Sequence, residues 1–227
     1  MKNFELTEGI ELESDLNTEY FDRLSKLGRQ ATFEAGQYVF HQGETARSVF
    51  VLTDGSLKTT RSDEKGHDTL LKIHQIGSLV GLSTLRPKAT RDANCIAVQS
   101  SIARRFGRAE FLKLMRMDGE LGILLVQLLL KRQQLLHSRV SDATGLSVEQ
   151  RLARVLVQMH LELDASRDVS GQLFLRISHE ELAALVFSRR QYVTAILRRF
   201  SAGGLIENKR QQISILDVER LAEVISR

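Results

Sequence analysis

Apolar positions between residues 178 and 200, SHEELAALVFSRRQYVTAILRRF, fall at helical spacing in two short runs. Leu182, Leu185 and Val186 give the first run an inward face. Ser178 and Glu181 form a capping box, so a helix can start there with its first amides satisfied. In the second run Val193, Ile196, Leu197 and Phe200 recur at i, i+3, i+4 and i+7. Projected at helical period, that run leaves Gln191, Thr194, Ala195 and Arg198 facing outward, with Arg199 on the flank. Phe187 and Ser188 mark a turn between the two helices, and Gly203-Gly204 stops the second. Residues 205–207 and 212–216 then predict a β-hairpin around the basic tip Lys209-Arg210, the mark of a winged helix-turn-helix.

Earlier in the chain the period changes twice. Residues 15–30 predict a short amphipathic helix through Leu16, Tyr20, Phe21, Leu24 and Leu27. From Thr32 to Phe106 the runs are short and β-like, punctuated by Gly36, Gly43, Gly55, Gly66, Gly77 and Gly81. Candidate strands at 37–40, 48–53, 56–61, 69–73 and 94–100 suggest a sandwich or barrel. Asp63-Glu64-Lys65-Gly66 fits a hairpin turn, and Pro87 lies in a polar connection. From Arg108 onward the period is helical. Leu121, Leu125, Leu128, Arg132, Leu135 and Arg139 alternate at spacings of four and three, a heptad-like seam widened by Leu124, Leu129 and Leu136. That seam either packs on its own β domain or pairs with a second copy of the chain. Ser141-Asp142-Ala143-Thr144-Gly145 reads as a hinge, after which the capping box Ser147/Gln150 opens a helix to about Leu163 and a polar loop follows at 164–172. These boundaries predict an α+β chain with a β domain at 1–110, a long helix at 111–143 and a winged domain at 144–227.

Charge sharpens the picture locally. The net charge of +4 over 227 residues is mild, but residues 186–200 hold four arginines and no acid. Arg189 and Arg190 open a helix, where they oppose its dipole, which points to an anionic partner such as DNA read in the major groove. Hydrophobic content of 42% and charged content of 26% are those of an ordinary globular protein. No run approaches about 20 uncharged apolar residues, and residues 1–30 lack the pattern of an export signal, so no membrane partner is expected and the cytoplasm is the expected compartment. The single cysteine, Cys95, excludes an intramolecular disulfide and a four-cysteine iron–sulfur or zinc site.

AGQYVFHQGETARSVFVLTDGSLKTTR (35–61), IGSLVGLSTL (76–85), TRDANCIAV (90–98) and the winged segment 177–217 together resemble the cyclic-AMP receptor protein/FNR family of bacterial transcription regulators. The resemblance spans nearly the whole chain. It implies an N-terminal β-roll of the cyclic-nucleotide-binding, jelly-roll type, a long dimerisation helix and a C-terminal winged helix-turn-helix. It further implies a homodimer on a palindromic operator in double-stranded DNA, a small-molecule effector, and RNA polymerase as a further partner. The implied dimer helix carries Leu121, Leu125, Leu128, Arg132 and Leu135, and the implied effector pocket takes in Gly77, Leu79, Gly81, Leu82, Arg91 and Asp92.

Departures from the family pattern change two expectations. Cyclic-AMP binders keep a glutamate after the pocket glycines and an Arg-Ser pair for the phosphate. Here Leu82 stands at the glutamate position, and Asp92 follows Arg91 where the serine belongs. Each change removes a hydrogen-bond partner or adds repulsion, at about 1–3 kcal/mol, so an effector other than cyclic AMP is expected. Leu79, Val80, Leu82 and Leu85 would make the pocket more apolar, or belong to the core. Arg91 is either a surface or salt-bridged arginine, with Asp92 at hand, or an anchor for another anion. In the recognition helix Arg190 matches the family's first arginine, Gln191 replaces its glutamate and Ala195 its later arginine. Arginine reads guanine and glutamine adenine bidentately, so an altered half-site is expected. Arg189, Arg199, Lys209 and Arg210 are then phosphate contacts, Tyr192 reaches a phosphate or a thymine methyl, and the outward-facing Thr194 and Arg198 complete the expected DNA-binding set. Phe187 replaces the usual turn glycine, which predicts a looser turn.

Other chemistry is weakly represented. Cys95 reads as a buried, inert thiol, and His41, His67 and His74 are isolated, so neither haem nor an iron–sulfur cluster is expected and no cofactor is identified. His137 reads as solvent-facing or interfacial. The histidines lack the close spacing of a metal-dependent cupin-like enzyme, and neither a nucleophile–base pair nor a phosphate-binding glycine loop is present, so the chain is not read as an enzyme. The remaining alternative is a regulator of the same fold that needs no ligand and is controlled by abundance.

Overall fold

The structure, a computed structural model, describes residues 15–64, 68–164, 177–209 and 212–226. The chain divides into two compact units, Glu13–Leu130 and Lys131–Arg227. In the first, alternation along β3 (Ser48–Asp54) separates two cores. Phe50 and Leu52 join Phe40, Leu57, Val80, Cys95, Ala97 and Ala103 inside a β-roll, while Val49 and Val51 join the helices on the other side. The strands are β1 (Arg29–Phe33), β2 (Tyr38–Phe40), β3, β4 (Leu57–Ser62), β5 (Asp68–His74), β6 (Leu79–Val80), β7 (Asn94–Ala97) and β8 (Ser101–Gly107). Among the described residues they form two four-stranded sheets, ordered β1-β8-β3-β6 and β2-β7-β4-β5, with antiparallel pairing throughout.

Three strands went unread in the sequence. β1 lies where the first helix was expected to end, β6 is only two residues, and β8 begins after a bend that cuts the expected 94–100 strand at Ala97. The first helix is correspondingly shorter, α1 (Thr18–Ser25), capped by the Asn17 side chain accepting from the Tyr20 amide at 2.9 Å. Tyr20 and Leu24 on α1 pack into the second core with Phe106, Phe111, Leu121, Leu125 and Leu128. α2 (Arg108–Met117) and α3 (Gly119–Gly145) meet at Asp118. Its carboxylate accepts the Tyr20 hydroxyl at 3.1 Å, the Leu121 amide at 3.3 Å and an ion pair from Arg23, pinning α1 to the start of α3. Burial pushes this carboxyl up, but the Arg23 bond, the Leu121 amide and the Tyr20 hydroxyl outweigh it and hold it below its usual range.

The expected hinge at 141–145 is helical: α3 continues to Gly145, and the break comes at Leu146-Ser147. Arg154 on α4 (Val148–Asp164) pairs with Asp142 at 2.6 Å, and Arg151 donates to the Leu146 carbonyl at 2.6 Å. The Asp142 carbonyl accepts the Leu146 amide at 3.0 Å and the Ala143 carbonyl accepts from Arg151 Nη1 at 3.5 Å, so carbonyls at the end of α3 have partners and the weak helix formers there stay helical. The capping box of Ser147 and Gln150 is present in both directions, at 2.9 and 3.2 Å. The second unit continues with α5 (His179–Leu185), α6 (Arg190–Ala202), the antiparallel hairpin β9 (Ile206–Lys209) and β10 (Gln212–Ile215), and α7 (Val218–Glu223).

Candidate nucleic-acid interface and effector pocket

α5 starts as the sequence predicts, with Ser178 accepting the Glu181 amide at 3.1 Å and Glu181 accepting the Ser178 amide at 2.9 Å. The turn after it is not looser. Phe187 takes the left-handed conformation at φ +49°, and the Ser188 amide closes the turn on the Ala183 carbonyl at 2.9 Å. A phenylalanine therefore does what glycine does without strain, at a cost of about 1–2 kcal/mol. Arg151 braces the same turn by donating Nε to the Val186 carbonyl at 2.9 Å. No periodicity marked that arginine; only its contacts identify it.

Val193, Ile196, Leu197 and Phe200 on α6 are all buried, as their spacing predicts. Gly204, at φ +70°, ends the helix, with the Leu205 amide returning to the Phe200 carbonyl at 2.9 Å. The outer face carries Arg190, Gln191, Tyr192, Ala195, Arg198 and Arg199, all exposed, and Arg189 is exposed at the N-cap. Two of the expected phosphate contacts have acidic neighbours: Arg199 pairs with Glu149 at 2.6 Å and Lys209 with Glu207 at 2.9 Å. Both pairs are solvent-exposed and worth at most about 1 kcal/mol, so neither immobilises its cation. Arg210 lies outside the described residues.

Thr194 corrects the sequence projection. It is half-buried, and its Oγ1 lies 2.9 Å from His179 Nδ1 at the start of α5. The other ring nitrogen of His179 meets the Asn208 side-chain amide on β9 at 3.3–3.4 Å. One imidazole thus links α5, the recognition helix and the wing. In the sequence His179 was only the residue after a cap.

In the β-roll Arg91 is neither a surface arginine nor the partner of Asp92. It is 3% exposed, whereas Asp92 is exposed. Nη1 donates to the Gly81 carbonyl at 2.9 Å and to Thr84 Oγ1 at 3.1 Å, and Nη2 donates to the Ser48 carbonyl at 2.7 Å. The guanidinium lies 4.0 Å from the centre of the Phe40 ring. Its Nε is buried without a hydrogen-bond partner. Burial holds the Arg91 pKa below its ordinary value, partly offset by Glu44. Gly81, at φ +84°, is needed here, because a Cβ would stand 2.6 Å from Arg91 Nη1. Gly77 is buried, also with φ +84°.

The four leucine and valine candidates of the pocket divide between the cores. Leu79, Leu82 and Leu85 pack with the helices, and only Val80 faces the roll interior. Cys95 is fully buried beside it, and burial pushes its thiol up to about 12, an inert state. His41 is exposed and stacks on Tyr38, His74 is buried 3.3 Å from Thr59 Oγ1, His137 is exposed, and His67 lies outside the described residues. Among the described residues there is no group of three or more His, Cys, Asp or Glu side chains able to hold a metal. None of the helices there is long and apolar enough to cross a membrane.

On α3 the seam divides differently from the sequence expectation. Leu121, Leu125 and Leu128 are buried in the chain's own core, because that face packs against β3, β6 and α1 residues. Arg132 and Leu135 are half-buried. The exposed large apolar residues of α3 include Ile123, Val126, Leu129 and Leu130, each 50–57% accessible, and Leu136 and Val140 further along.

A roll with a sealed arginine, joined in one chain to a winged helix-turn-helix with a basic outer face, defines a two-domain DNA-binding regulator. Comparison with known proteins agrees. A cyclic nucleotide-binding domain family matches residues 30–118, and a Crp-like helix-turn-helix domain family matches residues 150–224. The chain is 26% identical over 225 residues to the cyclic AMP receptor protein of Thermus thermophilus, covering 99% of this chain and 98% of that one. It is 24% identical over 217 residues to the transcriptional activator protein FnrA of Stutzerimonas stutzeri, covering 92% and 86%. A crystal structure of a CRP/FNR-family transcriptional regulator, also from Thermus thermophilus, shares the fold at a TM-score of 0.70 and 24% identity, over 88% of this chain and 99% of that one. The chain belongs to the CRP/FNR family of transcription regulators, whose members here are regulators and not enzymes.

Proposed function

We propose that this CRP/FNR-type regulator acts as a homodimer on a palindromic operator, with α6 in the major groove and half-sites about one helical turn apart. The observation that carries the reading is the outer face of α6, where Arg190 and Gln191 are exposed in the first turn and flanked by Arg189, Arg198 and Arg199. Arg190 reads a guanine and Gln191 an adenine, Tyr192 touches a phosphate or a thymine methyl, and the other cations with Lys209 hold phosphates. Dimerisation is supported by the exposed Ile123, Val126, Leu129 and Leu130 on α3, apolar side chains that a second copy would remove from water. Selection of bound sequences from random DNA tests the readout. A palindromic consensus is expected, with Arg190→Ala losing preference at one position of each half-site; no palindrome, and binding indifferent to Arg190→Ala, would overturn it.

The roll is the sensory half in this reading, with an effector other than cyclic AMP, supported by Leu82 and Asp92 standing where a ribose acceptor and a phosphate donor are needed. A second reading, in which the roll takes no ligand, is favoured by Arg91, whose terminal nitrogens are already held by the chain's own oxygens. Thermal-shift titration with cyclic nucleotides and apolar acids separates the two: stabilisation supports an effector, and its complete absence supports control by abundance.

A further inference from the structure

We propose that His179 is a positioning residue that sets the distance between the base-reading turn of α6 and the wing. Thr194 lies one helical turn after Arg190 and Gln191, so fixing its side chain fixes the turn they occupy. Asn208 pairs with Ile213 across the hairpin, next to Lys209, where β9 leads to the wing tip. The His179 ring reaches both, through Nδ1 at 2.9 Å and Nε2 at 3.3–3.4 Å. Its two nitrogens flank Cε1 in a rigid five-membered ring and bond in diverging directions, so the span between the two partners cannot stretch as it would across a flexible side chain. His179 itself is held at the start of α5 by the Ser178–Glu181 cap. The arrangement removes Thr194 from base contact and uses it as an anchor.

The inference rests on α6 and the wing both touching DNA. Hydroxyl-radical footprinting of the wild type on its selected duplex tests that premise first: without wing-side protection the premise itself fails, whatever His179 does. Amide variants then separate the two arms. His179→Asn places an amide where Nδ1 stood and keeps only the Thr194 bond; His179→Gln places one where Nε2 stood and keeps only the Asn208 bond. Expected are lost wing-side protection in His179→Asn and Asn208→Ala, retained protection in His179→Gln, and operator affinity about three- to tenfold weaker for His179→Asn and Asn208→Ala, the worth of one such bond. Because both remove the same bond, the double variant His179→Asn/Asn208→Ala should bind no more weakly than either single one. Circular dichroism and thermal midpoints show whether each variant is folded, and Asn208→Ala carries the test if a His179 variant is not. Equal footprints for His179→Asn and His179→Gln, unchanged wing protection in Asn208→Ala, or additive losses would overturn the proposal.

Discussion

Replacing Arg91 with methionine measures what a sealed arginine contributes to the β-roll. The variant loses three charge-assisted hydrogen bonds, to the Gly81 and Ser48 carbonyls and to Thr84 Oγ1. Such bonds contribute about 1.5–3 kcal/mol each, and the stack on Phe40 adds about 2 kcal/mol when desolvated. Two offsets apply. Returning a buried guanidinium to water in the unfolded chain recovers several kcal/mol, so its removal relieves that cost. The acceptors also keep other partners, since Ser48 O still takes the Thr84 hydroxyl at 2.9 Å and Gly81 O the Thr84 amide at 3.1 Å. Methionine retains most of the apolar volume against Phe40. The balance is a destabilisation of about 2–4 kcal/mol, well below the gross sum. At about 2–4 °C per kcal/mol in a chain of this size, the thermal midpoint of the roll should fall by roughly 4–16 °C without any ligand present. Differential scanning calorimetry of wild type and variant reads this directly. A midpoint within about 1 °C of wild type would refute the reasoning, because it would mean that Arg91 contributes nothing until an anion arrives.

Four further outcomes follow from the same structure. The Asp118 carboxyl is depressed in the folded state, so its stabilisation is present above the unfolded carboxylate pKa and is lost as pH falls through the folded one; urea unfolding from pH 6 down to pH 2 should show a loss beginning near pH 4 that Asp118→Asn reduces. Val126→Glu should shift the protein to monomer in sedimentation experiments while leaving it folded, because it places a charge in the proposed interface, whereas Leu125→Glu should unfold the roll, since Leu125 is 3% exposed in its core. Phe187→Val should lower stability by about 1 kcal/mol relative to wild type and Phe187→Asn should not, because a β-branched residue tolerates φ +49° poorly and asparagine tolerates it well; chemical denaturation decides. Glu149→Gln removes the acidic group that competes with phosphate for Arg199, so it should tighten binding to any duplex and steepen the log affinity against log salt slope by up to about 0.9, measured by anisotropy titration at several salt concentrations.

Where local chemistry alone decides, the sequence was legible. Ser178/Glu181 and Ser147/Gln150 are reciprocal caps in both readings, and the α6 core stripe needed only the helical period. Tertiary partners explain the failures. Ser141–Gly145 has the composition of a hinge, but Arg151 reaches back to the Ala143 carbonyl and Arg154 to the Asp142 side chain, and the segment is helix. β8 reads poorly because Arg104 and Arg105 interrupt its alternation; Arg105 is nevertheless in register with Arg29 and Phe50, and its Nε donates to Ser48 Oγ at 2.8 Å. The α3 seam left two readings open, and Leu121, Leu125 and Leu128 follow the one in which it packs on its own β domain, since periodicity cannot tell a stripe buried in its own domain from one left for a partner. Thr194, projected outward, and Arg91, read as a surface arginine or an anion anchor, were misplaced for the same reason: each is held by the chain's own groups, distant in sequence.

Those two misplacements narrow the chemistry left for recognition. With Thr194 held by His179 and Ala195 offering only a methyl group, base reading in the proposed complex falls on Arg190, Gln191 and Tyr192, three consecutive residues in the first turn of α6. A helix entering the major groove by its N-terminal end presents such residues to only about three base pairs. Two bidentate contacts at about 1–3 kcal/mol each give at most about 6 kcal/mol of direct discrimination per half-site, and phosphate contacts add affinity without preference. A monomer's roughly 2–6 kcal/mol overlaps only the lower part of the roughly 4–10 kcal/mol that separates specific from nonspecific complexes in typical regulators. Two half-sites read together, at roughly 4–12 kcal/mol, cover the whole of it. The proposed short reading head on α6 therefore favours the proposed homodimer, for which the exposed apolar side chains on α3 offer a surface.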